Sequence, residues 1–204
     1  MTLSEFDNEI RKDHNVVCGC DEAGRGPLAG DVFAAAVVFD KDTVIEGIND
    51  SKKLTAKKRE ELFDEIMEKA VDFSIQTATV EEIEDINILN AAMLAMKRAV
   101  EDMDTKPDVC LIDGNKTPEG LECPAIAVVK GDGKSQAVAA ASILAKVARD
   151  RYMEQMAEQY PEYRFERHKG YGTKLHYQMI DRYGPCGIHR MSFLKKYYAK
   201  KNGH

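Results

Sequence analysis

The stretch VVCGCDEAGRGPLAGDVFAAAVVF, residues 16–39, predicts how the fold begins. Val16 to Cys20 and Gly30 to Phe39 are apolar and contain many β-branched residues, a pattern typical of buried strands. The nine residues between them are too few for a crossover helix, so we expect the two strands to be antiparallel neighbours. A glycine-bearing turn therefore joins the first two strands of a sheet.

The rest of the chain alternates helical and strand periodicity, which predicts one α/β domain around a central, five-stranded mixed sheet. Thr55 is placed to cap a helix, and residues 40–54 form a polar loop before it. The end of the chain, KKYYAKKNGH at 195–204, is predicted to be a frayed basic tail. We predict helices over residues 4–12, 56–70, 88–103, 136–160 and 173–183, a helical turn over 80–85, and further strands over 72–78, 108–113 and 125–129.

Charge is unevenly distributed along the 204 residues, whose net charge is −6. From Lys146 to the end there are 13 Lys and Arg against 6 Asp and Glu, so this part carries +7 and the remainder −13. A basic segment can bind a polyanion even in an acidic chain, although a solvated helical surface has the same composition. Charge alone therefore leaves nucleic-acid binding and plain solvation open.

Membrane and secreted classes find no support in the sequence. No apolar run approaches the length of a membrane span, and the polar N-terminus lacks the apolar region of a signal peptide. The five cysteines form no C-x-x-C pair, which indicates reduced thiols, and none of the five histidines has the spacing of a zinc motif. With no G-x-S-x-G elbow, covalent catalysis has no visible support either. We expect a cytoplasmic, monomeric protein that contacts no membrane.

Four carboxylates lie where predicted strands end. Asp21 and Glu22 end the first strand, Asp113 ends the fourth, and Asp132 comes just after the fifth. Ligand sites in open α/β sheets lie outside the carboxyl ends of the strands, so neighbouring strands would bring these acids together. Converged carboxylates repel each other, and hard oxygen ligands select Mg²⁺ or Mn²⁺, of which four acids can hold two for phosphodiester hydrolysis. Each acid taken alone also fits a turn or a helix cap.

The turn GRGPLAG combines close backbone approach with one arginine. It lacks the ending of a P-loop, and its glycine spacing misses the dinucleotide fingerprint. Gly24 and Gly26 can adopt positive φ and present amide groups to a ligand, while Arg25 offers fork-shaped donors for phosphate or carboxylate. A plain tight turn with a surface arginine is the alternative.

Five further residues are candidate substrate contacts. Lys52 and Lys53 follow the second strand and are either solvated or phosphate clamps. Tyr171 lies between two glycines in the basic segment RHKGYGTKLH, where it can stack on a sugar or base, or pin the loop to the core. Ser142 and Lys146 are four residues apart, on one face of an alanine-rich helix whose first role is to pack on the sheet.

Six motifs of this sequence occur in the order seen in the ribonuclease HII family: CDEAGRGPLAG, NDSKKLT, LIDGN, AVVKGDGKSQAVAAASILAKVARDR, HKGYGT and HRMSF. The chain resembles a bacterial-type member from about Val16 to Phe193. The related ribonuclease HIII usually has an additional N-terminal substrate-binding domain, and only about fifteen residues precede the first strand here, which favours ribonuclease HII. Gly133 stands where many members have alanine or serine, which is a small departure.

This resemblance implies a ribonuclease H-like fold with a C-terminal helical extension. It implies one domain over residues 1–204, with a catalytic core at about 16–150 and a basic extension at about 151–204. The implied activity is endonucleolytic hydrolysis of the RNA strand in RNA–DNA hybrids. Incision on the 5′ side of single ribonucleotides in duplex DNA is also implied, with 3′-OH and 5′-phosphate products.

The resemblance also implies roles for the candidate residues. The backbone of residues 24–26 would read the 2′-OH of the ribose. Tyr171 would sense the RNA-to-DNA junction by stacking on a deoxyribose, where a 2′-OH would crowd the ring. The metal-binding positions of the family, in a two-metal mechanism, match four acids: Asp21, Glu22, Asp113 and Asp132.

Three other hypotheses make different predictions. Another metal-dependent nuclease or an integrase-like domain would use the same acids but cleave all-DNA duplex. A non-catalytic hybrid-binding module would need no metal and would tolerate loss of the acids. A small-molecule phosphotransferase has the least support, because the sequence contains no nucleotide-binding fingerprint.

Overall fold

The central sheet has the five strands that the sequence predicts, in a computed structural model that describes residues 1–49 and 51–202. The strand order is β3-β2-β1-β4-β5. β1 pairs antiparallel with β2, and β2 with β3, whereas β1 and β4, and β4 and β5, pair in parallel. The strands are β1 (Val17–Ala23), β2 (Val32–Val38), β3 (Asp72–Ala78), β4 (Val109–Asp113) and β5 (Ala125–Val128).

Helices connect the strands and follow the sheet. The predicted N-cap Thr55 accepts a hydrogen bond from the first turn of its helix, and Thr173, predicted as the first residue of a helix, caps that helix in the same way. Short 3-10 helices lie at Ser51–Lys53, Gly131–Gly133 and Pro161–Tyr163. The helices are α1 (Leu3–Ile10), α2 (Ala56–Lys69), α3 (Val80–Asp102), α4 (Gln136–Gln159), α5 (Phe165–His168), α6 (Lys174–Tyr183) and α7 (Met191–Asn202).

A kink in α3 corresponds to the predicted break between a helical turn and a longer helix. Asn87 interrupts the helix with φ of 66° and ψ of 163°. Its Oδ1 accepts hydrogen bonds from the amides of Leu89 and Asn90. Asn87 therefore caps the second segment of α3, because an asparagine side chain can satisfy the free amides of a helix start.

Helices cover both faces of the sheet. On one face, α3 packs alanines such as Ala95 against β1, β2 and β4. On the other face, α2 and the alanine-rich start of α4 pack against β2. A Cβ placed on Gly19 of β1 would lie only 2.2 Å from the backbone of Ala137 and Val138, so α4 approaches β1 with no room for a side chain. This contact holds α4 directly over the strand that carries Asp21.

The end of the chain is helical, and the prediction of a frayed basic tail was wrong. Leu194 of α7 is fully buried in a cluster with Leu28 and Ile180. The Tyr197 ring lies 4.6 Å from that of Tyr177, measured between centroids. Leucine and tyrosine three residues apart give α7 an apolar face, which stabilises it through tertiary packing. The last two residues lie outside the described part of the chain.

The predicted boundary near residue 150 falls inside α4, so the division into a core and an extension stays a proposal. None of the helices in residues 1–49 and 51–202 is long and apolar enough to cross a membrane. All five cysteines are free thiols, as expected, and Cys18, Cys20 and Cys110 are buried.

Candidate active site

Three of the candidate acids meet at one edge of the sheet. The parallel pairing of β1 and β4 sets Cys20 opposite Ile112, so the next residues, Asp21 and Asp113, follow at the same edge. Glu22 comes directly after Asp21 on β1. The strands that carry these acids are thus neighbours in the sheet, as we expected.

The carboxylates interact strongly at this edge. Asp21 is only 4% exposed. Burial raises the pKa of its carboxyl well above the usual range, and the nearby charges of Glu22 and Asp113 raise it further. A hydrogen bond with the Ser142 side chain and one from the Glu22 amide, 2.7 Å from Asp21 Oδ1, act in the opposite direction. The site concentrates negative charge in a place shielded from water, which favours a cation.

Asp132 lies in the 3-10 helix Gly131–Gly133 and is buried. The amide of Gly131 donates a hydrogen bond of 2.6 Å to Asp113 Oδ1. This bond fastens the turn that carries Asp132 to the end of β4. The fourth acid is therefore tied to the same part of the sheet as the other three.

The donor set suits a hard divalent cation, because the acids offer oxygen ligands alone and one of them is buried beside two like charges. In the part of the chain that the structure describes, no three His, Cys, Asp or Glu side chains form a group that could hold a metal ion as they stand. The assignment of these four acids as metal ligands stays a prediction.

A groove of about 560 Å³ runs beside the acids and gathers most of the other candidates. Lys53 is exposed on the 3-10 helix Ser51–Lys53 but is not among the lining residues that the structure describes. A larger depression of about 860 Å³ lies by α4 and α6, where the described lining residues include none of the candidates. The groove is lined by residues 22–26, Ser51, Lys52, Ile88, Ser142, Lys146, Tyr171 and Phe193.

The glycine turn is held in place by Arg190, a residue without an assigned role in the sequence analysis. Its fully buried guanidinium donates to the carbonyls of Gly24 at 2.7 Å and Pro27 at 2.9 Å. It also donates to the carbonyls of Gly30, at 2.6 Å, and Arg25, at 3.2 Å. Because Arg190 engages several carbonyls at once, it fixes the path of the whole turn. In the sequence, the one indication of a role for Arg190 is its place in the HRMSF motif.

A second buried arginine, Arg149 of α4, supports the same turn. It donates to the carbonyls of Ala29 and Lys169, both at 3.1 Å. Burial lowers the pKa of both arginines, and the pKa of Arg190 falls to about 9, with Arg149 as the second cause. Gly24 has φ of +103°, and a Cβ there would lie 2.2 Å from Arg149 Nε, so this position requires glycine.

Arg25 and Gly26 face the groove. The Arg25 guanidinium lies 3.2 Å from Glu22 Oε1, and its side chain is half exposed. Neither the Arg25 nor the Gly26 amide donates to a protein acceptor within the described chain, and both residues are exposed. The turn therefore offers backbone donors to a ligand, while the arginine balances one of the acids.

Tyr171 lies beside the glycine turn in the groove. Tyr171 is 42% exposed, and a Cβ placed on Gly26 would lie 3.8 Å from its ring. Lys146 Nζ and the Arg149 guanidinium lie 6.0 and 5.8 Å from the ring centroid. The backbone of Tyr171 is anchored and its ring is accessible, so the geometry fits a stacking surface as well as a loop anchor.

Ser142 and Lys146 take different places in the groove. Ser142 is buried, and its hydroxyl lies 2.9 Å from that of Ser51 and bonds the Asp21 carboxylate. Lys146 Nζ pairs with Asp150 Oδ1 at 2.6 Å, and burial lowers its pKa. Ser142 thus supports an acid, whereas Lys146 is a cation at the groove wall.

Three histidines behind Tyr171 stand in the basic segment and the motifs of the sequence analysis, where none of them has an assigned role. His168, His176 and His189 are all buried. Burial, followed by the charge of His168, lowers the pKa of His176 to about 3, and burial lowers the pKa of His189 to about 4. These rings are neutral in the folded protein, and only their long-range packing distinguishes them from surface histidines.

Comparison with known proteins shows the family and the fold of this chain. The family model Ribonuclease HII matches residues 18–196. A protein named Ribonuclease HII from Caldicellulosiruptor saccharolyticus is 53% identical over 189 residues, covering 93% of this chain and 92% of that one. The crystal structure of ribonuclease H2 from Pyrococcus horikoshii OT3 superposes with a TM-score of 0.72 and 29% identity, covering 87% of this chain and 93% of that one.

The fold extends to a more distant structure, Bst-RNase HIII in complex with Mn²⁺. It has a TM-score of 0.65 and 18% identity, and covers 83% of this chain and 63% of that one, a likeness that shows the fold alone. The five-stranded mixed sheet with flanking helices is the predicted ribonuclease H-like fold. The family match, the relative's identity and the shared fold lead to one conclusion: this chain belongs to the ribonuclease HII family and is an endoribonuclease H enzyme.

Proposed function

We propose that the chain hydrolyses the RNA strand of RNA–DNA hybrids and incises duplex DNA on the 5′ side of single embedded ribonucleotides, leaving 3′-OH and 5′-phosphate ends. The observation that carries this proposal is the groove, which brings Glu22, the exposed amides of residues 25–26 and the Tyr171 ring around one space beside the acidic edge of the sheet. A substrate with a ribonucleotide next to a deoxyribonucleotide would use all of these features together.

The acids Asp21, Glu22, Asp113 and Asp132 are proposed to hold divalent ions, Mg²⁺ or Mn²⁺. Support comes from the buried Asp21 carboxyl beside two like charges, a state that a bound cation would relieve. When bound, two such ions supply Lewis-acid chemistry, with activation of a water and neutralisation of charge on the leaving oxygen. Ser142 orients Asp21, and the Gly131 amide orients Asp113.

The glycine turn is proposed to read the sugar. RNA and DNA differ at the 2′-OH, so a protein that distinguishes them must contact that position. The amides of Arg25 and Gly26 are available donors, whereas the carbonyls of Gly24 and Arg25 already accept from Arg190. The turn would therefore contact the 2′-OH mainly through its amides.

Tyr171 is proposed to recognise the junction by stacking on the neighbouring deoxyribose. An exposed aromatic ring in a basic groove is suited to stacking on a nucleotide. A 2′-OH on that sugar would crowd the ring, which gives a preference for DNA at this position. Lys52 and Lys146 line the groove and would contact phosphates.

The deciding experiment is cleavage of a DNA duplex that contains one ribonucleotide, with and without Mg²⁺, beside an all-DNA duplex of the same sequence. We expect a single Mg²⁺-dependent cut on the 5′ side of the ribonucleotide and no cut in the all-DNA duplex. Cleavage of both duplexes would favour the integrase-like alternative. Cutting of the ribonucleotide duplex in the presence of chelator would contradict the metal assignment.

The monomeric state and the cytoplasmic location remain predictions from the sequence. Sedimentation of the purified protein, alone and with a hybrid duplex, tests the first. A mass of one chain, 22.8 kDa, is the expected result for the free protein.

A further inference from the structure

A chain of hydrogen bonds runs from the C-terminal segment to the backbone of Tyr171. Its links are the amide of Cys186, the rings of His189 and His176, and the carbonyl of Tyr171. His176 is 0% exposed and His189 is 3% exposed, so neither ring reaches the groove. The chain of hydrogen bonds therefore connects the C-terminal segment to Tyr171 through buried side chains that do not line the groove.

The direction of the chain follows from its first link. The amide of Cys186 donates to His189 Nδ1 at 2.9 Å, and the Cys186 sulfur and carbonyl lie 3.1 and 3.3 Å from the same nitrogen. The far end of the chain requires the same direction, because the Tyr171 carbonyl can only accept and a proton on His189 Nδ1 would leave it facing a bare His176 nitrogen. A ring nitrogen that accepts carries no proton, so the neutral His189 ring has its proton on Nε2.

The second link fixes the state of His176. The two Nε2 atoms of His189 and His176 are 3.0 Å apart, and His189 donates. His176 Nε2 therefore accepts, and the proton of its neutral ring is on Nδ1, which donates to the Tyr171 carbonyl at 3.0 Å. Protonation of His176 would place two N–H groups against each other at this link.

Backbone anchoring is what holds the Tyr171 ring in place. The ring itself is exposed, and its cationic neighbours are 5.8 to 6.0 Å from the centroid. Glycines flank it on both sides, and glycine leaves the backbone free to move. The backbone of Tyr171 makes three hydrogen bonds. Its amide donates to the carbonyl of His168, and its carbonyl accepts from the amide of Thr173 and from His176 Nδ1. Of these three, the bond from His176 alone comes from a side chain.

We propose that His176 and His189 are positioning residues that set the place of the Tyr171 ring in the groove, and thereby the preference for an RNA-to-DNA junction. This inference rests on the proposed function of Tyr171. His168 supports the arrangement by stacking on His176, with ring centroids 4.3 Å apart and an angle of 19°. It also accepts from the amide of Gly170 through Nδ1.

Two substitutions at one position separate this role from general packing. In His176→Asn the side-chain amide overlies the position of Nδ1, so it can still donate to the Tyr171 carbonyl. In His176→Gln the amide overlies Nε2, so it keeps the contact with His189 and loses Tyr171. His14→Gln, which changes a histidine before β1 and outside the chain of hydrogen bonds, is the matched control.

The measured quantity is the ratio of kcat/KM for the single-ribonucleotide duplex to kcat/KM for a continuous RNA–DNA hybrid. We expect His176→Gln to lower this ratio about tenfold, because small displacements of a positioning group cost up to about 100-fold. His176→Asn should stay within about twofold of the parent, well below that scale. Equal losses in both variants would overturn the proposal, because a packing role does not distinguish the two amide positions.

A double-substitution test separates this inference from the function on which it rests. In a Tyr171→Ala background, His176→Gln should lower the ratio no further, and a further loss would overturn the proposal. If Tyr171→Ala alone leaves the ratio unchanged, the junction role of Tyr171 fails first. If His176→Gln alone leaves it unchanged while Tyr171→Ala lowers it, only the role of the histidines fails.

A spectroscopic test on the unaltered protein does not depend on the folding of any variant. Nitrogen-15 chemical shifts of histidine rings distinguish the two neutral tautomers. We expect the proton on Nδ1 for His176 and on Nε2 for His189. The reverse assignment for His176 would remove its donor to Tyr171 and overturn the proposal.

Discussion

A hydrogen bond of 2.7 Å joins the guanidinium of Arg190 to the carbonyl of Gly24, across 166 positions of the chain. Arg190 directly precedes α7, and Gly24 begins the glycine turn. The C-terminal segment is therefore part of the groove, to which Phe193 of α7 also contributes a side chain. A helix outside the central sheet thus helps to shape the proposed site of ribose recognition.

Substitution Arg190→Lys should weaken both the fold and the turn. A single ammonium cannot engage four carbonyls, and hydrogen bonds to charged groups contribute about 1.5–3 kcal/mol each, so we expect a loss of about 3 kcal/mol or more in the free energy of unfolding. Urea denaturation measures this. Arg167→Lys, at an exposed position, should change it by about 0.5 kcal/mol or less. Equal effects of the two substitutions would refute the bracing role of Arg190.

Substitution Asp113→Asn should abolish Mg²⁺-dependent cleavage and leave hybrid binding largely intact. The asparagine oxygen can still accept from the Gly131 amide, so the turn should remain fastened while the charge is lost. We expect a loss of about 100-fold or more in kcat, the scale seen when a charge-stabilising group is removed from an active site. Electrophoretic mobility shifts check binding. Retained cleavage would refute the metal assignment.

Substitution Tyr171→Ala should reduce junction preference more than general affinity. Stacking on an aromatic ring contributes about 1–3 kcal/mol per nucleotide, so we expect about a tenfold loss in the preference ratio. Tyr171→Phe keeps the ring and serves as the control. Similar ratios for Tyr171→Ala and Tyr171→Phe would show that the ring does not read the junction.

Binding of a hybrid should weaken steeply with salt. Each phosphate contact contributes a slope of about −0.9 to the plot of log binding constant against log salt concentration. We expect Lys52→Ala, in the groove, to reduce the slope by about 1, and Lys12→Ala, outside it, to leave the slope unchanged. A flat plot for the parent protein would contradict phosphate contacts.

The free energy of unfolding should decrease as the pH is lowered below neutrality, because His176 and His189 are buried in their neutral form. Their pKa values are lowered to about 3 and about 4 in the folded state, against about 6.5 when unfolded. The unfolded chain therefore binds protons first, and stability that is complete above about pH 6.5 is lost as pH falls toward 4. Each histidine should contribute a slope of about 1.4 kcal/mol per pH unit near pH 5.

Urea denaturation at several pH values measures this slope in the parent and in His176→Asn. The difference between the two slopes gives the contribution of His176 separately from that of the carboxylates. A slope unaffected by the substitution would show that His176 is accessible to protons in the folded protein.

Local sequence patterns were sufficient for most of the fold and for the edge of the sheet where the acids meet. The strands end where their apolar runs end, and the predicted cap Thr55 acts within a single turn of its helix. The short linker between β1 and β2 dictated antiparallel pairing. These features depend on neighbours in the chain, which a sequence displays directly.

The support of the site could not be predicted in the same way. Arg190 and Arg149 bind backbone carbonyls that lie more than 100 positions away in the chain, and a charged residue in a motif does not reveal which carbonyls it meets. The buried histidines bind nearby backbone atoms, but the contact between the His176 and His189 rings joins two separate segments. The helical end of the chain was missed for a related reason. Its lysines suggested solvation, whereas Leu194 and the tyrosines beside it find partners only in the folded protein.

Gly19 affects the electrostatics of the site because it has no side chain, which lets β1 and α4 lie in direct contact. The strand bearing Asp21 touches the first turn of α4 where a methyl group would be 2.2 Å from the backbone, and Ser142 lies little more than one turn further along α4. Any larger residue at position 19 would act as a wedge between strand and helix and lift the Ser142 hydroxyl away from the acid it stabilises. A position with no chemistry of its own thus sets the spacing on which the acidic edge relies.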